Sequence, residues 1–161
     1  MLRIGLGYDT HKLIKYSSKK PLMLGGILIP NRREFSLEAH SDGDVLLHSL
    51  TDAMLGALAL GDIGKHFSNK KKDFQNKNSS YFLKFVQGMI SDKQYKVANI
   101  DSTIVADKPI ISPYVDTIRS NISKMVNINV DQVSVKCKTS EGMNPNIISC
   151  YALATLIHII G

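Results

Sequence analysis

An apolar helix that carries a histidine and an aspartate in its interior constrains this chain more than any other feature. From Gly43 to Leu60, the residues Val45, Leu46, Leu50, Ala53, Met54, Ala57 and Leu58 recur at i, i+3, i+4 spacing, the period of a helix with one buried face. Asp42 or Asp44 supplies an N-cap and Gly61 a stop. His48 and Asp52 lie four residues apart on one face of that helix. Capping explains Asp42 and Asp44, and a loop explains His40, but a surface pair does not explain polar groups inside an apolar helix. They need a ligand or a partner, and Asp52 is placed to orient the imidazole of His48.

A second cluster offers that ligand. Gly5-Leu6-Gly7-Tyr8-Asp9-Thr10-His11 closes what reads as an opening strand over residues 2–9. Side chains two apart on a strand share a face, so Asp9 and His11 can grip one ion, with His48 as the third ligand. Two imidazoles and one carboxylate leave a tetrahedral Zn2+ one open position, the mark of a catalytic site. Another divalent transition metal also suits such a site. Past the helix, Gly61-Asp62-Ile63-Gly64 brackets an acid with glycines, and Asp62 can accept hydrogen bonds from a polyol. Thr139-Ser140-Glu141 follows a strand and offers two hydroxyls and a hard oxygen donor, which suits Mg2+ bridging phosphates.

The remaining elements interleave. Residues 22–30 read as a hairpin around Gly25-Gly26. Helices are expected over 79–92 and over 113–126, the second after Pro113, with strands over 97–106 and 133–138. Residues 64–78, with Lys70-Lys71-Lys72, read as a polar, mobile loop, and 147–160 is ambiguous between helix and strand. With no repeat or linker in sight, residues 1–161 are expected to form one domain. Its class is α+β: a mixed sheet, helices packed on one face and ferredoxin-like βαβ elements.

Composition narrows the function. The net charge of +6 invites a nucleic-acid reading, but Lys outnumbers Arg by 16 to 4, and there is no Trp, no aromatic RNA-binding motif and no Arg-rich stripe. Net charge alone does not carry that reading, and no nucleic-acid partner is expected. The longest apolar run, Tyr151–Ile157, is far short of the roughly 20 residues of a membrane helix, so no membrane partner is expected either. Two cysteines, Cys137 and Cys150, make neither a disulfide framework nor a Cys-rich zinc site. No signal or transit peptide is expected ahead of the first strand. The expected setting is the cytoplasm, or a plastid for a mature form without its transit peptide.

In series, these motifs resemble one family over nearly the whole chain: the 2-C-methyl-D-erythritol 2,4-cyclodiphosphate synthases of the non-mevalonate isoprenoid pathway. Arg3–His11, Leu24–Pro30 and Ala39–His48 carry the resemblance, and Leu50–Ala53, Gly61–Gly64, Asn99–Ala106 and Thr139–Glu141 extend it in order. It implies a homotrimer around a threefold axis, with active sites between neighbouring subunits. Zinc is then held by Asp9, His11 and His48, and magnesium by Glu141 with substrate phosphates. His40 and Thr139 stabilise the transition state, and Ser41 lies near the phosphates. Asp62 and Gly64 hold the erythritol, and Ile63, Phe67 and Ser140 also touch substrate. The 106–112 loop, through Ala106, Pro109, Ile110, Ile111 and Ser112, cradles cytosine largely by backbone groups. The implied reaction cyclises 4-diphosphocytidyl-2-C-methyl-D-erythritol 2-phosphate with release of CMP, the work of a phosphorus–oxygen lyase.

The chain departs from the family pattern in four places. The cytosine loop, usually Ala-x-x-Pro-Lys, reads Ala106-Asp107-Lys108-Pro109-Ile110, without the lysine. Phe67-Ser68-Asn69 stands for Phe-Pro-Asp, and Lys138 for a usual Thr. Gly142–Ile147 replaces a longer Gly-Phe-Thr-Gly-Arg segment, whose arginine lines an axial cavity proposed to bind isoprenoid diphosphates. Two other readings stand beside the synthase. One is a metal-dependent phosphoesterase using water on the same cluster, and the other is a degenerate homologue that binds without catalysis.

Overall fold

Alternation carries the first strand further than its sequence suggests. In the computed structural model β1 spans Leu2–Lys15, so Asp9 and His11 sit inside it rather than at its end. Residues 1–15, 21–31, 34–39, 41–67 and 77–159 are described. The hairpin follows as β2 (Met23–Leu24) and β3 (Ile27–Leu28), turning at Gly25 and Gly26, both with positive φ. Next come β4 (Phe35–Glu38), α1 (Val45–Ala57) and a short α2 (Ile63–His66). The expected loop at 64–78 therefore begins inside a helical turn, and residues 68–76, with the lysine run, lie outside the described residues. α3 (Ser79–Asp92), β5 (Tyr95–Ala106), α4 (Val115–Val126), β6 (Val133–Lys138) and β7 (Ile147–His158) complete the chain.

Two boundaries differ from the sequence reading. Pro113 falls in a 3-10 turn, Ser112–Tyr114, that leads into α4 rather than in the helix itself. α1 stops at Ala57, before Gly61. The N–H of Leu60 reaches the carbonyl of Leu55 and that of Ala59 the carbonyl of Gly56, with Ala59 at φ +56. This is the paired closure of a Schellman motif, with an alanine in the left-handed position where glycine is usual. The ambiguous tail resolves as strand because Ile148, Cys150, Ala152, Ala154 and Leu156 are buried in strict alternation.

Five strands pair in the order β4-β1-β7-β5-β6. β5 and β6 run parallel, joined through α4 as a βαβ unit, and the other pairs are antiparallel. α1, α3 and α4 cover one face, burying Leu46, Leu50, Leu83, Ile100 and Ile118 completely. The opposite face is bare in the single chain: Ile4, Leu6, Tyr8 and Tyr151 are about half exposed or more. α1 lies unusually close to β1. A Cβ at Gly5 would stand 1.9 Å from the carbonyl oxygen of Ala53, and one at Gly7 1.9 Å from that of Ser49. Only residues without side chains allow this approach, and it sets His48 over Asp9.

Candidate metal centre

Asp9 and His11 project from β1 to the helix-covered face, and His48 meets them from α1. Asp9 Oδ2 lies 2.9 Å from His48 Nδ1 and 3.3 Å from His11 Nε2. One ligand atom from each of the three falls within 4.8 Å of the others. Zinc bonds of about 2.0–2.1 Å at tetrahedral angles put ligand atoms about 3.3 Å apart. The Asp9–His11 spacing meets that edge length, and the His48 spacing is slightly tighter. His11 Nε2 is buried and makes no hydrogen bond, a condition that native interiors rarely leave uncompensated. The three side chains thus fit a shared divalent ion.

Their titration agrees. Burial opposes the Asp9 anion, but the imidazoles of His11 and His48 beside it pull its pKa down to about 2. Burial likewise opposes a charged His48, and the carboxylates of Asp9, Asp44 and Asp42 outweigh it, raising the imidazole above its usual value. A carboxylate oxygen facing two ring nitrogens calls for positive charge between them, as protons or as a metal.

The far side of His48 is equally occupied. Its Nε2 lies 2.8 Å from Ser79 Oγ, at the start of α3, and 3.3 Å from Ser41 Oγ. Ser79 also donates its hydroxyl to Asp42 Oδ1 and its N–H to Asp42 Oδ2 at 3.0 Å. Sequence reasoning missed Ser79. Its only signal was Asn78-Ser79-Ser80 as a helix start, where Asn78 indeed caps α3 by accepting from the N–H of Tyr81.

A family model for the YgbB family matches residues 2–157. The chain belongs to the YgbB family. Among its relatives is the 2-C-methyl-D-erythritol 2,4-cyclodiphosphate synthase of Clostridioides difficile, 46% identical over 142 residues, covering 88% of this chain and 85% of that protein. The corresponding synthase of Fusobacterium nucleatum is 48% identical over 141 residues, covering 88% and 85%. A solved 2C-methyl-D-erythritol-2,4-cyclodiphosphate synthase with bound CDP superposes at TM-score 0.89 and 32% identity, over 96% of this chain and all of that one. The IspF of Plasmodium falciparum in complex with CDP superposes at 0.83 and 38% identity, over 98% and 96%.

The other candidate residues of this YgbB chain are scattered around the triad. His40 lies outside the described residues. Among the described residues, the hydrogen bonds of the His48 ring go to partners other than Asp52. Nδ1 of that ring already faces Asp9 and Nε2 faces Ser79, while Asp52 Oδ1 accepts the N–H of Ile63 at 2.7 Å. Asp52 therefore anchors α2 and does not orient the imidazole. Burial, with the charges of Asp62 and Asp9, raises its pKa. Asp62 caps α2 through the N–H of Lys65 at 2.9 Å, so it and Gly64 stand exposed on a short helical turn. Phe67 is 5% exposed, with ring centroids 4.7 Å from Phe82 and 5.2 Å from Phe85. Its aromatic ring is part of the core.

Ala106 and Ile111 are buried, Pro109 is partly buried after a cis peptide, and Ile110 and Ser112 are exposed. Asp107, unremarked in sequence, ties this loop to the next turn by accepting the N–H and hydroxyl of Ser140, each at 2.7 Å. Those hydrogen bonds hold its carboxyl below the usual range. The Ser140 hydroxyl is thereby committed within the turn. Thr139 Oγ1 donates to Glu141 Oε1 at 2.7 Å, and both are exposed. Register aligns His11 with Ile148 and Ile148 with Ala106, and the neighbouring Val105 with Lys138. Three strand spacings thus separate the triad from the Thr139–Glu141 turn within one chain, about 14 Å at ~4.8 Å each.

Proposed function

We propose that this chain is a cyclising phosphorus–oxygen lyase that converts 4-diphosphocytidyl-2-C-methyl-D-erythritol 2-phosphate to 2-C-methyl-D-erythritol 2,4-cyclodiphosphate and CMP. The observation that carries the reading is the convergence of Asp9, His11 and His48, with an orphaned Nε2 on His11, in a chain of this family. In the reaction an oxygen of the substrate's 2-phosphate attacks its own β-phosphorus, and the bond to CMP breaks. The protein supplies no nucleophile. Asp9, His11 and His48 would hold zinc, and Glu141 would hold magnesium with substrate phosphates. The two ions would supply positive charge to the transferring phosphoryl group.

The chain's own residues do the positioning. His40, Thr139 and Ser41 act on the phosphates, Asp62 and Gly64 on the polyol, and the backbone of 106–112 on the cytosine. Immobilising both reacting phosphates converts the attack into an oriented intramolecular step, the main source of rate in such transfers. The expected lysine of the cytosine loop is Ile110, so base recognition there rests on main-chain groups.

Assembly belongs to the same proposal. Within one chain the Thr139–Glu141 turn stands three strands from the triad, too far for both to touch one diphosphate. The bare face with Ile4, Leu6, Tyr8 and Tyr151 is a contiguous apolar surface of the kind that marks an interface. A homotrimer that packs these faces around a threefold axis would bring one subunit's turn to a neighbour's triad. Turnover followed by 31P NMR, with light scattering on the same sample, tests the reading. Cyclic diphosphate plus CMP from a trimer is expected. Inorganic phosphate released from simple esters would favour a hydrolytic phosphoesterase, and a fully active monomer would refute the shared site.

A further inference from the structure

A histidine ligates a metal through one ring nitrogen only when that nitrogen is free of its proton, so the group facing the other nitrogen decides whether it can. Here that group is Ser79. Its hydroxyl has one proton to give. Asp42, as a carboxylate, can only accept, and it faces Ser79 twice, taking the N–H on Oδ2 and the hydroxyl on Oδ1. With its proton on Asp42, Ser79 Oγ can meet His48 Nε2, 2.8 Å away, only as an acceptor. That places the ring proton on Nε2 and leaves the Nδ1 lone pair facing Asp9 and His11. Ser41 Oγ, at 3.3 Å, is the longer contact to the same nitrogen and itself accepts the N–H of Gly43.

We propose that Ser79 and Asp42 are positioning residues that hold His48 in the Nε2–H tautomer and so preset it as a metal ligand. The inference rests on the metal-centre reading above and names two residues that reading does not use. It also gives the N-terminus of α3 a task at the site. Ser79 is fully buried, and its backbone tie to Asp42 fixes where the hydroxyl stands.

Two variants separate this role from a structural one. Ser79→Ala removes the acceptor of His48 Nε2–H but keeps the backbone N–H on Asp42. Asp42→Asn keeps the shape and reverses the relay. If the amide oxygen accepts the Ser79 N–H, the NH2 must donate to Ser79 Oγ, whose proton then turns to His48 Nε2 and drives the ring proton onto Nδ1. Zinc alone is the probe, with affinity read by competition against a chromophoric chelator and the His48 ring nitrogens read by 15N NMR. Zinc-loaded wild type should show a protonated Nε2 and a metal-bound Nδ1. Both variants should bind zinc about 10–100-fold more weakly while their metal-free forms melt close to wild type. Zinc affinity within about threefold of wild type in both variants, against that expected loss, would overturn the relay and leave the metal centre standing. Wild type that binds no zinc would overturn both. Neither outcome depends on cyclisation, which is read separately by its product.

Discussion

Gly7→Ala tests how the close approach of α1 to β1 makes the metal centre. The added Cβ would stand 1.9 Å from the carbonyl oxygen of Ser49 and 2.7 Å from the N–H nitrogen of Ala53. Both neighbours are backbone, so no rotamer change relieves the contact, and α1 must lift by more than an ångström. Overpacking of this kind costs about 1–3 kcal/mol, and a clash of backbone on backbone belongs at the upper end. For a domain of this size that lowers the melting temperature by roughly 6–12 °C, at ~2–4 °C per kcal/mol. Ser49 is the next residue after His48, so the same lift carries the imidazole away from Asp9. Metal sites tolerate errors of only about 0.2 Å in ligand distance, and zinc affinity should fall with the melting temperature.

Gly5→Ala, one turn further along at Ala53 and Ala57, should destabilise comparably but disturb zinc less. Gly88→Ala is the control. It lies inside α3 with open space around its added Cβ, and should stabilise by about 0.5–1 kcal/mol through helix propensity. Thermal melts of the zinc-free and zinc-loaded proteins, with chelator competition, measure all three. A Gly7→Ala protein that melts within about 2 °C of wild type and keeps its zinc affinity would refute the close-packing account.

Four further outcomes are expected. His48→Ala should abolish turnover by removing a ligand, whereas Glu141→Ala should weaken magnesium use and recover partly at raised Mg2+, so steady-state rates against Mg2+ separate the two. Asp44 is fully buried and accepts from the N–H groups of Gly25, Gly26 and Leu47 at 2.7–3.0 Å. Asp44→Asn puts an NH2 where an acceptor is needed and should cost about 1–3 kcal/mol in urea unfolding. In metal-free protein, the lowered Asp9 pKa adds stability above its unfolded value of about 3.9, lost as pH falls toward 2. The raised His48 pKa adds stability below about 6.5, lost as pH rises through its folded value. Urea midpoints should therefore peak between about pH 4 and 6.5, zinc should restore the alkaline side, and a flat profile would contradict the pairing. Finally, without the family's axial arginine, binding of farnesyl diphosphate should be weak by calorimetry, because bidentate phosphate contacts are lost; a tight one-per-trimer interaction would refute this.

Much of the fold was legible because the chain's patterns are locally strong. The start and end of α3, the Gly25-Gly26 hairpin and the alternation of β5 and β6 follow from helix period, turn chemistry and strand alternation. The tail at 147–158 was not legible. A short apolar run suits helix and strand alike, and only pairing on both sides, with β1 and β5, selects strand. The end of α1 was misread because Gly61 is the expected stop residue, whereas Ala59 takes the left-handed position there. Gly5 and Gly7 read only as part of the motif that closes the opening strand, yet their role is to let a helix backbone touch a strand. No local pattern announces a contact across forty residues.

The acids around His48 were the hardest residues to assign, and their geometry limits the metal count. In sequence Asp42, Asp44 and Asp52 all stand as close to His48 as a ligand could. In the fold each accepts a backbone N–H from a different element: Asp44 from the β2–β3 turn, Asp42 from the start of α3, and Asp52 from the start of α2. Asp44 holds three N–H donors and is sealed from solvent altogether, and Asp42 already accepts both the N–H and the hydroxyl of Ser79. These acids fasten three neighbouring elements to α1, and that fastening aims His48 at Asp9 and His11. Among the described residues, the His and acid side chains whose ligand atoms converge within 4.8 Å are Asp9, His11 and His48, with the Nε2 of His11 left without a hydrogen bond. One transition-metal ion per chain should therefore saturate this cluster, and metal analysis finding two would mean that one of the clamping acids lets go.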